Sequence, residues 1–262
     1  MINHNLTPKQ LDILTLLIRF RFLNTKHFQN IFNHKDPHRI KAWLKDLNQK
    51  HYIHRFYNRQ TFAENTRPAV FCLATKSRKI LKQLNKYDTQ ILDRIYSEKD
   101  RSKQFQDHSL CIADIYIHLK NYTKLPKTLH FFTKIDISNY ASLPDPRPDA
   151  YIVVKNSRKA TKRYFLEVFD EGTPRFVLKR RIKTYIDYVQ DDMWHEASKD
   201  PIPSILLVCT NEKMRNYLSY HIKRTLADKP EIAIKFFITT RQMLEEHGLQ
   251  TTVWQQVKTK AD

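Results

Sequence analysis

The sequence predicts an α/β protein, α+β overall, in which a mainly helical N-terminal domain precedes a domain built on a mixed β-sheet. Three observations support this. Apolar residues recur at helical spacing through the first third. The later stretches "PDAYIVVK" and "KRYFLEVF" predict paired strands, and "SILLVCT" predicts a strand buried on both faces. The predicted division is an N-terminal domain over 1–85, an exposed helical linker over 86–105, and a second domain over 106–262.

The first domain is predicted to contain three helices and a β-hairpin. Thr7 and Asp36, each followed by proline, cap the first and third helices, and Asn24 or Thr25 caps the second. "YIHRFYNRQTF" and "RPAVFCLAT" predict two strands joined by a polar tip, and "TKSRKILKQLN" predicts a closing helix. Three helices followed by a hairpin is typical of a winged helix-turn-helix, whose third helix enters the DNA major groove while the wing contacts the backbone.

The charge of this domain indicates a polyanionic partner. Residues 1–85 contain 16 Lys or Arg and 4 Asp or Glu, so +12 of the net charge of +19 lies there. Double-stranded DNA is the expected partner, because these cations neutralise phosphates and reach base edges. A solvated basic face and a protein-binding winged helix are the alternatives. The candidate DNA-binding residues are His38, Arg39, Lys41, Lys45, Arg55, Arg59 and Arg67.

Glycine and cysteine usage excludes several classes of protein. With two glycines, the chain has no P-loop or dinucleotide fingerprint, which argues against an ATPase, an NAD enzyme or any nucleotide cofactor. The three cysteines are far apart, each in an apolar run, which fits a reducing compartment. No segment has the length of a membrane span. We therefore expect a cytoplasmic protein.

Two acids in the second domain predict a metal site. Asp149 begins one strand and Glu167 lies in the next, so a hairpin about residues 156–161 would bring both to one edge of the sheet. Two such carboxylates suit Mg²⁺ or Mn²⁺, which polarises a scissile phosphate and lowers the pKa of an attacking water. Asp170, just past the strand, is a further candidate ligand. The alternatives are a salt bridge between Glu167 and a Lys or Arg, and surface turn acids at Asp170 and Glu171.

The spacing of the acids matches the PD-(D/E)xK nuclease signature except at its lysine. That lysine follows the second acid by two positions, where this chain has Phe169. Lys179 and Lys183 on the next predicted helix are candidate replacements. Lys179 is spaced with Phe176 and Ile182, which predicts that it points toward the sheet. The alternative is a solvated or phosphate-contacting basic face. The predicted order of helix, three strands, helix, strand, helix, strand is that of the restriction-endonuclease-like fold.

The blocks "HSLCIADIYIHL", "RPDAYIVV", "YFLEVFDEGT" and "RIKTYIDYV" behind a winged helix resemble the replication-relaxation proteins, most closely the MOBC-type relaxases of plasmids. The resemblance implies a relaxase that nicks DNA at an origin of transfer, with relaxosome and coupling proteins as partners. It implies that Asp149 and Glu167 bind metal, with Asp170 in the acidic "ExxD" position, and that His108 and Asp114 lie in a shared helix. Phe169 departs from the signature, so the second hypothesis is a non-catalytic DNA-binding regulator of plasmid replication with a degenerate nuclease fold.

Overall fold

The chain forms two compact units, Met1–Ile117 and His118–Asp262. The computed structural model describes residues 6–57, 67–123, 127–156, 159–247 and 253–258. The boundary between the two units along the chain falls within the helix Lys103–Tyr122. The domain limits expected at 85 and 105 stay predictions.

Three capped helices open the first unit, as predicted: α1 (Pro8–Phe20), α2 (Thr25–Phe32) and α3 (Pro37–Gln49). Thr7 caps α1 by accepting from the Gln10 N–H, Asn24 caps α2, and Asp36 caps α3. The apolar positions of α1 and α3 are buried, which confirms the helical periodicity: Ile13, Leu14, Leu17, Ile40, Leu44 and Leu47.

A three-stranded antiparallel sheet completes this arrangement. Its strands have the spatial order β1-β3-β2: β1 (Leu23–Asn24), β2 (Ile53–Phe56) and β3 (Val70–Leu73). The predicted hairpin is confirmed by the pairing of Ile53 with Leu73 and of Phe56 with Val70. Most of its predicted polar tip, including Arg59, lies outside the described residues.

The segment expected to be an exposed linker is helical but partly buried. The elements that follow the hairpin are α4 (Ser77–Gln83), α5 (Thr89–Asp93), a 3₁₀ helix (Arg94–Asp100) and α6 (Lys103–Tyr122). Ile91, Leu92 and Ile95 are buried, so the predicted exposure is wrong. Glu98 of the 3₁₀ helix is also buried and accepts from the Arg21 guanidinium at 3.0 Å, which ties this segment to the end of α1.

The second unit contains a six-stranded mixed sheet, which confirms the predicted α/β class. The strands lie in sequence order: β4 (Lys127–Thr133), β5 (Ala150–Asn156), β6 (Lys159–Val168), β7 (Ser204–Cys209), β8 (Phe236–Thr240) and β9 (Gln255–Gln256). The first three pair antiparallel, β6, β7 and β8 pair parallel, and β9 is antiparallel to β8. The antiparallel hairpins followed by a crossover were predicted, whereas β9, which follows the expected last strand, was not.

Helices follow each of the parallel strands. They are α7 (Arg175–Gln190), α8 (Met193–Ser198), α9 (Glu212–Ala227) and α10 (Arg241–His247). Leu178 and Ile182 of α7 share one apolar core with Leu218 and Ile222 of α9 and with Phe165 of β6. The two longer helices therefore pack on the same face of the sheet. Within the described ranges, no helix combines the length and apolar character that crossing a membrane requires.

Candidate active site and nucleic-acid interface

Asp149 and Glu167 lie side by side on neighbouring strands. Ala150 pairs with Leu166, and the Asp149 N–H donates to the Leu166 carbonyl at 3.0 Å, so the register places Asp149 beside Glu167. One oxygen of the Asp149 carboxylate accepts from the Val168 N–H at 2.9 Å. The structure therefore brings together the two acids that the sequence predicted to converge.

Glu167 is a buried carboxylate with a buried cation beside it. Its side chain faces α7, where Arg181 and Tyr185 are one turn apart. The Arg181 guanidinium and the Tyr185 hydroxyl both donate to Glu167 Oε1, the hydroxyl at 2.5 Å. Arg181 also donates to the Tyr185 oxygen at 3.0 Å. Glu167 and Arg181 are 7% and 8% exposed, so each supplies the counter-charge that burial of the other requires.

Burial and mutual attraction set the protonation of this cluster. Burial raises the pKa of Glu167; the positive charge of Arg181 opposes the rise and the negative charge of Asp149 adds to it. Burial alone would lower the pKa of Arg181, but the charge and hydrogen bond of Glu167, together with Tyr185 and Asp149, outweigh it and raise that pKa, so the guanidinium stays charged. Burial and Glu167 raise the pKa of Tyr185 well above its ordinary value, which keeps its hydroxyl a donor.

The same helix fixes the loop that leads into Asp149. Arg181 donates through its second terminal nitrogen to the Pro146 carbonyl. About two turns further along α7, the Tyr188 hydroxyl donates to the Ser142 carbonyl at 2.7 Å. Arg181 therefore binds both the loop before Asp149 and the carboxylate of Glu167, so it sets their relative position.

A basic groove lies in the first unit between α2, α3 and the β2–β3 hairpin. Its volume is about 610 Å³. It is lined by four of the predicted DNA-binding residues together with a cation that the sequence did not single out: Lys41, Lys45, Arg55, Arg67 and Lys26. Among the described lining residues there is no Asp or Glu. Such a concave surface of one charge sign concentrates an anionic partner.

His38 and Arg39 stand outside this groove. Both are exposed at the start of α3, and the Arg39 guanidinium lies 5.9 Å from the centre of the Trp43 ring. Arg59 lies outside the described residues. The role of all seven candidates in DNA binding stays a prediction.

The chain matches the family described as replication-relaxation over residues 14–204, most of its length. It belongs to the replication-relaxation family. None of the curated proteins matches it. Among solved structures it is similar to the restriction endonuclease FokI, with 14% identity and a TM-score of 0.31, over 96% of this chain and 48% of that one. The chain thus spans about half the length of that structure.

In this replication-relaxation protein the position of the signature lysine belongs to the apolar core. Phe169 is buried, packs in the same core as Phe165 and Leu178, and donates its N–H to the Val208 carbonyl at 2.9 Å. A lysine there would have to bury its charge among apolar side chains. The packing of the core therefore accounts for the presence of Phe169 at the position of the signature lysine.

The cation beside Glu167 is one that the sequence did not single out. Lys179 and Lys183 are both exposed, and Lys183 binds Asp187 at 2.6 Å. The inward orientation predicted for Lys179 is wrong, because Leu178 and Ile182 fill the inward face of α7. The sequence does contain a signal for this cation. Arg181 lies at helical spacing from Leu178 and next to Ile182, so it falls on the face of α7 that is otherwise apolar.

Asp170 has a different partner from the one expected. Arg241, at the start of α10, donates to the Asp170 carboxylate at 2.8 Å and to the Phe169 carbonyl at 3.0 Å. Across the described part of the chain, no three His, Cys, Asp or Glu side chains are grouped so that they could hold a metal ion. Asp170 therefore does not join Asp149 and Glu167 in such a group, and its role as a ligand stays a prediction.

The two further candidates on α6 belong to the first unit. Asp114 accepts a hydrogen bond from His27 Nε2 at 2.8 Å. His27 Nδ1 accepts the Asn24 N–H at 3.2 Å, so Nε2 of the ring carries the donated proton. Asp114 thus ties α6 to α2. His108 is half-buried on the same helix, and its role stays a prediction.

Proposed function

We propose that this protein is a MOBC-type DNA relaxase that nicks double-stranded DNA at a plasmid or mobile-element origin of transfer by metal-dependent phosphodiester cleavage. The observation that carries the proposal is the placement of Asp149 beside Glu167 at one end of a mixed sheet, in a chain of the replication-relaxation family. The protein acts in the bacterial cytoplasm with relaxosome and coupling proteins.

DNA recognition is assigned to the first unit, acting as a winged helix. Its α3 helix and β2–β3 hairpin border the basic groove, which supports major-groove entry by α3 and backbone contact by the hairpin. Lys41 and Lys45 project from α3, while Arg55 and Arg67 come from the hairpin. Cations on both sides of a groove neutralise phosphates of both strands, which favours a duplex.

The two carboxylates fit a divalent ion that keeps most of its ligands from water and substrate. Mg²⁺ is commonly bound by one or two carboxylates together with waters and phosphate oxygens, and Mn²⁺ accepts the same oxygen donors. Both hydrogen bonds to Glu167 end on Oε1, so Oε2 has no donor among the described residues. Asp149 and Glu167 would hold the ion. When bound, it would supply polarisation of the scissile phosphate and a lower pKa for a bound water.

The side chains around the pair orient it. Arg181 and Tyr185 fix one oxygen of Glu167, and the Val168 N–H fixes one oxygen of Asp149. Each carboxylate therefore keeps a defined direction without the ion. Preorganisation of this kind lowers the free-energy cost of assembling a catalytic site.

The second candidate function is a non-catalytic DNA-binding regulator of plasmid replication with a degenerate nuclease fold. Two observations favour it: Arg181 neutralises Glu167, and Phe169 packs in the core. In this alternative the Glu167–Arg181 pair only stabilises the fold, and the basic groove alone carries the function.

A nicking assay separates the two candidates. The substrate is the supercoiled plasmid that carries the gene, with Mg²⁺ or Mn²⁺, and the proteins are wild type, Asp149→Asn and Glu167→Gln. The matched control is Asp145→Asn, an exposed acid of the preceding loop. We expect metal-dependent nicking by wild type and the control, and a loss of at least about 100-fold in both site variants. No metal-dependent nicking by wild type would favour the regulator, whereas full nicking by Asp149→Asn would remove Asp149 from the proposed metal site.

A further inference from the structure

The outer surface of α7 and α9 carries both aromatic and basic side chains. On α7, Phe176, Arg180 and Lys183 are spaced i, i+4 and i+7, which places them on one face. On α9, Tyr217, Tyr220 and Arg224 are spaced i, i+3 and i+7. We call these six residues the α7–α9 strip. None of them is used by the site described above.

Contacts between the two helices show that they adjoin, with Tyr217 of the strip at the contact. The Arg175 guanidinium lies 4.7 Å from the centre of the Tyr217 ring. One turn further along, burial lowers the pKa of His221, and the positive charges of Lys179 and Arg224 lower it further. Cations of both helices therefore line the seam between them.

The exposed surface of the two helices that carry the strip is strongly basic. Exposed side chains of α7 and α9, which are both fully described, include four Lys or Arg on the first helix and three on the second, against one acid, Glu212. Glu212 binds Arg215 at 2.6 Å. Lys183 binds Asp187, but its side chain is 72% exposed, and an exposed pair of this kind is weak enough for a phosphate to displace.

The aromatic rings define what kind of polyanion fits. Phe176 and Tyr220 are 62% and 66% exposed, and the Arg180 guanidinium lies 5.7 Å from the centre of the Phe176 ring. Exposed rings beside cations bind unstacked bases, since every base has a π-face and every linkage has a phosphate. The bases of a duplex are already stacked on one another and offer no such face.

We propose that the α7–α9 strip binds single-stranded DNA, with bases stacked on Phe176 and Tyr220 and phosphates on Arg180, Lys183 and Arg224. The choice of DNA rests on the proposed function; the choice of a single strand rests on the rings. A protein that nicks or opens a duplex exposes one unpaired strand, and the strip holds it. The first-unit groove holds the duplex.

Fluorescence anisotropy with the full chain tests this, using labelled oligo(dT) of about 16 nucleotides. The variants are Phe176→Ala and Tyr220→Ala, and the matched control is Tyr140→Ala, whose ring is 59% exposed in the same unit. We expect each strip variant to lose about fivefold or more in oligo(dT) affinity, while the control matches wild type. Because all three rings are exposed, thermal unfolding midpoints are expected to stay at the wild-type value.

Three outcomes would overturn the proposal: no oligo(dT) binding by wild type, equal loss in Tyr140→Ala, or unchanged binding in both strip variants. Tighter binding of oligo(U) of the same length would overturn the assignment to DNA. Lys45→Gln, in the groove, is expected to weaken duplex binding and leave oligo(dT) binding unchanged. If wild type does not nick the plasmid but oligo(dT) binding still depends on Phe176 and Tyr220, single-strand binding by the strip is supported and the relaxase proposal is rejected.

Discussion

The Arg181 guanidinium and the Tyr185 hydroxyl donate to the same oxygen of Glu167, inside the core between β6 and α7. A carboxylate in mid-sheet is costly to bury, and this arrangement offsets the cost with one opposite charge and one neutral donor. Both of these hydrogen bonds end on Oε1, so neither uses the second carboxylate oxygen of Glu167. The structural role of Glu167 and its proposed catalytic role therefore depend on the same two residues of α7.

Arg181→Met is expected to lower the free energy of unfolding by about 3–5 kcal/mol, because it leaves Glu167 buried without its counter-charge. Urea unfolding of wild type and the variant measures this change in the free energy of unfolding. The double variant, which also carries Glu167→Gln, should lose less stability than the sum of the two single losses, because it buries no lone charge. Lys183→Met is the control: its exposed pair with Asp187 contributes about 1 kcal/mol or less. An equal loss of stability in Arg181→Met and in the control Lys183→Met would contradict the role assigned to Arg181.

Tyr185→Phe should cost about 1.5–3 kcal/mol of stability, since the hydroxyl donates to a charged, buried acceptor. The comparison is Tyr188→Phe, which removes a neutral bond to the Ser142 carbonyl and is expected to cost about 1 kcal/mol. Chemical unfolding of both variants gives the difference. A larger loss of stability in Tyr188→Phe would show that the hydrogen bond to the Glu167 carboxylate contributes less than the hydrogen bond to the Ser142 carbonyl.

Phe169→Lys restores the signature lysine, yet we expect it to damage the protein. The ring packs in the apolar core, so the substitution removes that packing and buries an ammonium group without a partner. The expected loss of stability is about 3 kcal/mol or more, with no gain in nicking. Thermal unfolding and the plasmid assay check both parts. A stable variant that nicks faster than wild type would show that the lysine position is still functional.

The sequence predicted the elements well because their signals are local. Thr7, Asn24 and Asp36 cap their helices through hydrogen bonds that reach two or three residues along the chain. Asp149 and Glu167 were predicted to converge because a hairpin joins their strands. Contacts between distant segments gave no such signal, as with Asp170 and Arg241. Arg181 was missed because it lies in a basic run, "KRRIK". In such a run, only the rotation of the helix determines which basic residue points toward the core.

Groove cations should act on duplex binding through counterion release. Lys45→Gln is expected to weaken binding of any duplex sequence and to reduce the slope of log K against log salt by about 1, the value for one phosphate contact. The control is Lys82→Gln, an exposed lysine of α4 that does not line the groove. Binding measured by anisotropy at several salt concentrations gives both slopes. The same slope for Lys45→Gln and wild type would remove Lys45 from the interface.

His221 provides a pH-dependent probe of the α7–α9 seam. Burial, with the charges of Lys179 and Arg224, holds its pKa below the ordinary 6.5. The unfolded chain therefore binds more protons near pH 6, so the stability that neutral His221 contributes is complete above 6.5 and is lost as the pH falls through the folded pKa. Lys179→Met should raise this pKa, whereas Lys223→Met, on the same helix as His221, should change it less. NMR titration of the His221 ring measures both, and a pKa unaffected by Lys179→Met would show that the two helices do not share the cationic seam on which the α7–α9 strip depends.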